Sequence, residues 1–467
     1  MTFDIKKLIA EATPAAYDLH RDHVNPMYMK VLKTIGFDRT YVRGEGAALY
    51  DAAGRRYLDF LSGYGVFALG RNHPRVREIM KEFIDLDYPN LVHFDASAVA
   101  GLLAQAIVKR MPPGLDTVYF GNSGTEGVEA AIKYAKCATG RSGILYAAKA
   151  YHGLTNGALG LNGDDKFRAG FEPFLPNLRK VDFNDLGGLE AELKKGDVAA
   201  FIVEPIQGKG VNLPAPGYLA AASKLCKKYG ALFVADEVQT GLYRTGTFLA
   251  IEQEGQVDPD IVILSKALSA GYVPVAAVVT RRSIYDKVFS SMDRGVVHTC
   301  TFGQNAMAMV AGLAAIHVLE DEKLGLRAQR IGAMFKEGLD AMKPRFEFLK
   351  DVRQRGLMIG IELGEPRSLG LKAGWNMARM IDRNLFAQAV IIPLLEDHGI
   401  ITQVAGHNVD VIKLLPPFVV EESDVRSFLA AFEKVMTDLH KFPGPAWEVI
   451  KRVGKNAMSS RPREHAT

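Results

Sequence analysis

The sequence predicts an α/β protein built on a mostly parallel sheet, with a smaller α+β unit formed by its N- and C-terminal segments. Three observations carry this. From about residue 75 to 335, apolar runs of strand length alternate with helical segments. Two of those runs, 231–235 and 261–264, are apolar at every position, as strands buried on both faces are. The last third instead mixes strand-like pieces with helices. The chain has 467 residues, 48% hydrophobic and 24% charged, which suits a globular enzyme with one large domain and smaller ones.

Residues 1–40 have helical apolar spacing around Asn25-Pro26. A small antiparallel unit follows: Tyr41-Val42, a turn at Gly44-Glu45-Gly46, the run 47–50, a turn over 51–54, and the run 57–61. Candidate strands of the main sheet are 117–120, 142–147, 199–203, 231–235, 261–264 and 275–280. A long helix is expected over about 305–319, and another over 326–342. Strand-like segments at 352–353, 357–363, 400–403 and 411–415 precede a helix over 422–439. No internal repeat or low-complexity linker interrupts the chain. The expected domains are an N-terminal segment over 1–74, a large domain over 75–335 and an α+β domain over 336–467.

Net charge is +4, too small to imply nucleic acid. The one basic cluster, Lys451, Arg452, Lys455, Arg461 and Arg463, reads as a solvated helix and frayed end. Cys137, Cys226 and Cys300 are far apart and odd in number, so reduced thiols and no metal site are expected. No apolar run approaches the ~18–20 residues that span a bilayer. The start has no signal-peptide core, and a cytoplasmic protein is expected.

The chemistry concentrates at the ends of the apolar runs. Asp236 closes one and Lys266 another. In a parallel sheet the carboxyl ends of strands face the ligand crevice. A carboxylate and an amine there could hold a pyridoxal phosphate ring, as pyridinium partner and Schiff-base lysine. They could equally form a buried structural ion pair. The stretch 117–126 reads as strand, glycine turn and helix, with Ser123, Gly124 and Thr125 at a helix start where a phosphate binds well. The same residues also read as an ordinary capping box from Ser123 to Glu126. Neither G-x-x-x-x-G-K-[ST] nor a G-x-G-x-x-G after a strand occurs, which disfavours ATP and NAD. Tyr151, with His152 and Gly153, follows a strand and could stack on a flat ring. Glu204, before a proline, adds a carboxylate at the crevice edge. Val238 could press on a ring face, and Gln239 could bond a phenolic oxygen.

Taken together these segments resemble the class III (ω-type) aminotransferases of the fold type I pyridoxal-phosphate family. The matching residues are Asn122-Ser-Gly-Thr-Glu126, Tyr151-His-Gly153, Val203-Glu-Pro-Ile-Gln-Gly208, Ala235-Asp-Glu-Val-Gln-Thr-Gly241, Ser265-Lys266 and Thr301-Phe-Gly303, in that order over about residues 40–440. The putrescine and polyamine aminotransferase branch also resembles the chain around His23-Val-Asn-Pro26. The resemblance implies pyridoxal 5'-phosphate as cofactor. It makes Lys266 the Schiff-base lysine and proton shuttle, and Asp236 the partner of the ring nitrogen. Ser123, Gly124 and Thr125 would hold the phosphate, Tyr151 and Val238 the ring faces, and Gln239, Glu204 and His152 its surroundings. Thr301 would reach the phosphate of a second subunit, which implies a homodimer.

Two departures bear on substrate. Relatives acting on amino acids often carry an arginine before the closing Pro-Pro, where this chain has Lys413. Several ω-amino acid enzymes place a glutamate after Gln-Gly, where this chain has Lys209. A lysine binds as a point charge and lacks the bidentate fork. The expected donor is therefore an amine whose reacting end lacks an α-carboxylate: a diamine, polyamine or aliphatic amine. A keto acid such as pyruvate or 2-oxoglutarate would accept the amino group, gripped by Lys413, Lys209 or Arg355. Alternatively both lysines point to solvent. Tyr64 and Phe67 are expected to line the substrate channel, or else to pack the small domain. An aminomutase, a decarboxylating transaminase and an ω-amino acid transaminase stay open as alternatives on the same motifs. A non-catalytic protein on this scaffold should have lost Lys266 or Asp236, and both are present.

Overall fold

A computed structural model describes residues 3–381, 385–441, 443, 444 and 447; the basic cluster from Lys451 to Arg463 lies outside the described residues. Helices Ile5–Ala12, Ala16–His23 and Pro26–Thr34 come first, none with a buried residue. The Asn25 side chain caps the third by accepting from the Tyr28 amide at 2.9 Å, and Pro26 supplies the fixed φ that suits a first helical position. Strands β1 (Tyr41–Glu45), β2 (Ala48–Asp51) and β3 (Arg56–Asp59) then form an antiparallel unit. The expected Gly44-Glu45-Gly46 turn is displaced: Gly44 and Glu45 belong to β1, opposite Leu49 and Ala48. Gly46, at φ +54°, makes the turn, because only there is the left-handed conformation needed.

Seven strands make the central sheet: β4 (Thr117–Gly121), β5 (Gly143–Ala147), β6 (Leu178–Val181), β7 (Val198–Val203), β8 (Leu232–Asp236), β9 (Ile261–Leu264) and β10 (Ala276–Thr280). Their order is β4-β10-β9-β8-β7-β5-β6. The pairs from β9 to β6 are parallel, while β10 runs antiparallel to both β9 and β4. β7 and β9 are buried at every position. Each Val, Ile or Leu so buried contributes roughly 1.5–3 kcal/mol, which is why these central runs carry no polar residue until their ends. The largely buried helix Ala306–Asp321 packs against this unit through Leu103, Leu268 and their neighbours.

Beyond helix Leu324–Met342 come β11 (Leu349–Arg355), β12 (Met358–Leu363), β13 (Ile400–Ile401), β14 (Gln403–Val404) and β15 (Val411–Leu414). β11, β12, β15 and β14 form an antiparallel sheet. The single strand expected over 400–403 is divided. Ile400 and Ile401 pair in parallel with Leu58 and Asp59 of β3, whereas Gln403 and Val404 pair with β15. The break lets one stretch of chain stitch the C-terminal sheet to the N-terminal one. Helix Glu422–Leu439 closes the described fold as expected.

Candidate active site

Asp236 ends β8, and Lys266 follows β9 by two residues, so adjacent parallel strands deliver both to the carboxyl edge of the sheet. They do not form an ion pair. Asp236 Oδ2 instead meets His152 Nδ1 at 2.6 Å, and Oδ1 accepts from the Val238 amide at 3.1 Å. Burial opposes a charge on His152, yet the hydrogen bond and negative charge of Asp236 outweigh it and raise the imidazole above its ordinary pKa. His152 Nε2 is buried without a partner. Lys266 has φ +40°, a left-handed conformation costly for a residue with a Cβ and common at functional positions. Its Nζ makes no hydrogen bond or ion pair among the described residues. Burial lowers its pKa, against the pull of Asp236 and Glu204.

Helix Gly124–Thr139 begins beside this pair. Ser123 caps it, accepting from the Glu126 amide at 3.4 Å, while Glu126 Oε2 accepts from the Asn122 amide at 2.6 Å. The Ser123 cap therefore holds, but the capping box does not close, because Glu126 reaches back to the Asn122 amide rather than to that of Ser123; the Gly124 and Thr125 amides are left without intrahelical acceptors. A Cβ on Gly124 would stand 2.8 Å from Val238 Cγ1, so only glycine lets the helix start come this close to Val238. Thr125 Oγ1 meets Thr155 Oγ1 at 2.7 Å, and Thr155 donates to Glu129 at 2.6 Å. Sequence reading passed over Thr155 and Glu129, which brace the turn from 26 or more residues apart.

Glu204 is buried just past β7. It accepts from the Tyr151 amide at 3.0 Å and the Gly208 amide at 2.8 Å. Burial pushes its carboxyl above the usual range, with the charge of His152 pulling the other way. Gln239 donates through Nε2 to the Tyr64 carbonyl at 3.2 Å. Lys413, on β15, donates to the Gly208 carbonyl at 2.8 Å and to Gln239 Oε1 at 3.4 Å, and lies 5.9 Å from the Tyr64 ring centroid. Burial, then the like charge of Lys266, lowers the Lys413 ammonium to about 8.

Lys209 donates to Asp164 Oδ2 at 2.7 Å, an oxygen that also meets His407 Nδ1 at 3.3 Å. The alternative in which both lysines point to solvent is overturned, since each ammonium has a protein partner in a largely buried setting. Asp164 and His407 were not legible beforehand, because nothing in the local pattern marks partners so distant in sequence. The aromatic chain Tyr151–Phe167–His407, with centroid separations of 5.8 and 5.1 Å, ties this rim to Tyr151. Tyr64 is half exposed beside Lys413. Phe67 packs under the Arg71 guanidinium, 3.6 Å from its ring centroid, and against Gly271. Arg355 pairs with Glu254 at 3.7 Å, and the structure does not bring it into this network. Thr301 is exposed on its own chain.

The donor set fits pyridoxal phosphate. It offers an unpartnered amine, a carboxylate fixed by an imidazole, and a helix start with open amides. Among the described residues no cluster could hold a metal ion, and no helix is long and apolar enough to cross a membrane.

An α/β crevice of this kind, with a strained lysine opposite a tethered aspartate, defines a pyridoxal-phosphate enzyme of fold type I. Comparison with known proteins narrows this. Residues 32–436 match the model of the aminotransferase class-III family, and the chain belongs to it. Aminotransferase PigE of a Serratia species is 33% identical over 457 residues, covering 91% of this chain but 54% of that protein, so the chain spans about half of that relative. The ornithine aminotransferase of Toxoplasma gondii ME49 superposes with a TM-score of 0.82 at 30% identity, covering 94% of this chain and 99% of that one. A second structure of the Toxoplasma gondii enzyme, with a TM-score of 0.82 at 29% identity and the same coverage, is described with partial occupancy of PLP at its active site. A thermostable (S)-enantioselective omega-transaminase from Thermomicrobium roseum gives 0.78 at 27% identity, covering 94% and 100%. The chain thus carries the fold and the site residues of the class-III aminotransferase family.

Proposed function

We propose that this aminotransferase takes its amino group from a diamine, polyamine or aliphatic amine and passes it to a keto acid such as pyruvate or 2-oxoglutarate by ping-pong transfer. The observation that carries the reading is the state of Lys413. No guanidinium fork stands at that position, and the ammonium there is already held by Gly208 and Gln239. An α-carboxylate on the donor therefore meets no free bidentate partner at that point. The half-exposed Tyr64 ring beside it favours a hydrocarbon chain. For the acceptor carboxylate we assign Lys209, which follows Gly208 and can exchange Asp164 for a substrate anion.

Bound pyridoxal phosphate supplies the electron sink that makes the donor's C–H acidic. The protein's residues do the rest. Asp236, held by His152 and the Val238 amide, would pair with the ring nitrogen. The amides of Gly124 and Thr125, with the hydroxyls of Ser123 and Thr125, would hold the phosphate. Tyr151 and Val238 would flank the ring, and Glu204 fixes the Tyr151 backbone. Lys266 would serve as the base that takes the proton from the donor carbon, and burial, which lowers its pKa, favours the neutral amine that can accept it. We read the site as shared within a homodimer through Thr301, and the chain as a large cofactor domain over 75–335 between smaller terminal units.

The test is a panel of diamines, monoamines and ω-amino acids against pyruvate and 2-oxoglutarate. Terminal amines without an α-carboxylate should turn over fastest. Lys266→Ala should cost roughly 10²–10⁴-fold in kcat from loss of proton transfer alone. Preference for α-amino acid donors, or steady turnover without a keto acid, would refute the reading.

A further inference from the structure

Lys413 joins three separate parts of the chain. It lies on β15 of the C-terminal sheet. Its ammonium donates to the carbonyl of Gly208, in the turn after β7, and to the side chain of Gln239, beyond β8. Gln239 in turn donates to the carbonyl of Tyr64 in the N-terminal segment. Gly208 donates its own amide to Glu204, whose other oxygen takes the Tyr151 amide. These bonds form one continuous belt from Tyr64 to Tyr151 around the crevice, and Lys413 is where it crosses between sheets. The arrangement is tight: a Cβ on Gly208 would stand 2.9 Å from Gln239 Oε1 and 3.1 Å from Glu204 Oε1.

We propose that Lys413 is a positioning residue, a buried cation that locks the C-terminal sheet onto the Gly208 turn and the Gln239 amide, rather than the grip for a substrate carboxylate. Two consequences follow from its chemistry. With Lys413 donating to Oε1, the Gln239 amide is held in one orientation, so its Nε2 faces the Tyr64 backbone. A second cation beside Lys266 also disfavours a charge on Lys266, the counterpart of the effect seen on Lys413, whose ammonium is lowered first by burial and then by the like charge of Lys266. The neighbouring charges are Lys266 and Glu204.

The inference rests on the aminotransferase reading of the site but not on the identity of the amine. The experiment is a pH titration of the visible absorbance of the holoenzyme, with steady-state constants for donor and acceptor. In Lys413→Met the protonation midpoint of the lysine–cofactor linkage should rise by about one unit, as removal of a like charge requires. Its kcat should fall about tenfold, with both KM values within about twofold. Lys413→Arg keeps the cation and loses the bond geometry, so the midpoint should stay while kcat falls. It also carries the test should the methionine variant fail to fold. An unmoved midpoint in Lys413→Met would overturn the proposal. So would a selective rise in acceptor KM in Lys413→Met, or a selective drop in acceptor KM in Lys413→Arg. Because the titration needs no substrate, it can succeed even where the assigned amine class fails.

Discussion

Glu237 stands next to Asp236, yet its setting is different. It is fully buried, accepts from the Ile251 amide at 2.9 Å and takes the Thr240 hydroxyl. No cation offsets its burial, which pushes its pKa to about 7. The folded protein therefore holds this proton more tightly than the unfolded chain does. Its contribution is most favourable at low pH and is lost as pH rises from about 4.5 through 7, by no more than roughly 3 kcal/mol. Glu237→Gln imitates the protonated acid. In urea unfolding the variant should gain on the native protein above pH 7, with the gain shrinking at pH 5. An equal difference at both pH values would show that the carboxyl does not titrate in this window. His152 illustrates the reverse balance: it is just as buried, but Asp236 favours its charge. Neither state could be assigned from Tyr151-His-Gly or Ala-Asp-Glu-Val alone, because both depend on partners more than ten residues away.

If the start of helix Gly124–Thr139 holds the cofactor's phosphate, as proposed, the seating of this helix decides where that phosphate sits. Gly127, on its first turn, allows it to rest on β9: a Cβ there would stand 2.7 Å from Ile263 Cγ2. Gly127→Ala should push the helix start away from Val238. We expect a loss of about 1–3 kcal/mol in stability from overpacking and a larger drop in cofactor affinity than Ala130→Ser, further along the helix, produces. Equal affinity in the two variants would separate the helix position from phosphate binding. This element was legible because its signals are local: an apolar run, Ser123, glycines and a stop at Gly140, which has φ +68°. The strand β6 was not. Its residues Leu-Arg-Lys-Val lie at the sheet edge, where two long polar side chains can reach solvent and no apolar run is required. The antiparallel course of β10 was equally hidden, since a buried strand's apolar pattern is the same in either direction. The division at Thr402 could not be read either. Its cause is pairing with two different sheets, and the run Ile-Ile-Thr-Gln has a uniform strand-like composition.

Across the whole molecule, the crevice residues came from motif positions, whereas the contacts that organise them came from topology. Asp236, Lys266, Ser123 and Tyr151 were legible because each terminates or follows a strand on one edge of one sheet. Lys413 was singled out as a departure, but its bonds to Gly208 and Gln239 depend on how β15 is carried over from the C-terminal sheet. The same holds for Lys209, whose partner Asp164 lies in a loop 45 residues earlier.

The largest-scale prediction concerns the surface around Thr301. Met292, Val296 and Phe302 are exposed at 101%, 65% and 61%, and Phe94 at 102%, in a chain whose other large apolar side chains are mostly buried. Scattered apolar exposure is ordinary, but Met292, Val296 and Phe302 fall within ten residues of Thr301 in sequence, which a covered surface there would account for. If the site is shared between two chains, the exposed Thr301 completes a phosphate site only when that surface is buried. Two chains of 51.1 kDa should then sediment together at micromolar concentration. Phe302→Asp places a charge in the contact without touching Lys266 or Asp236. It should shift the protein toward a monomer and lower cofactor retention in parallel, with both effects relieved as protein concentration rises. Thr301→Ala should weaken cofactor binding while leaving the dimer intact, because it removes one hydroxyl rather than the apolar contact. A native protein that sediments as a monomer with full cofactor occupancy would rule out the shared site and leave Thr301 as a surface residue.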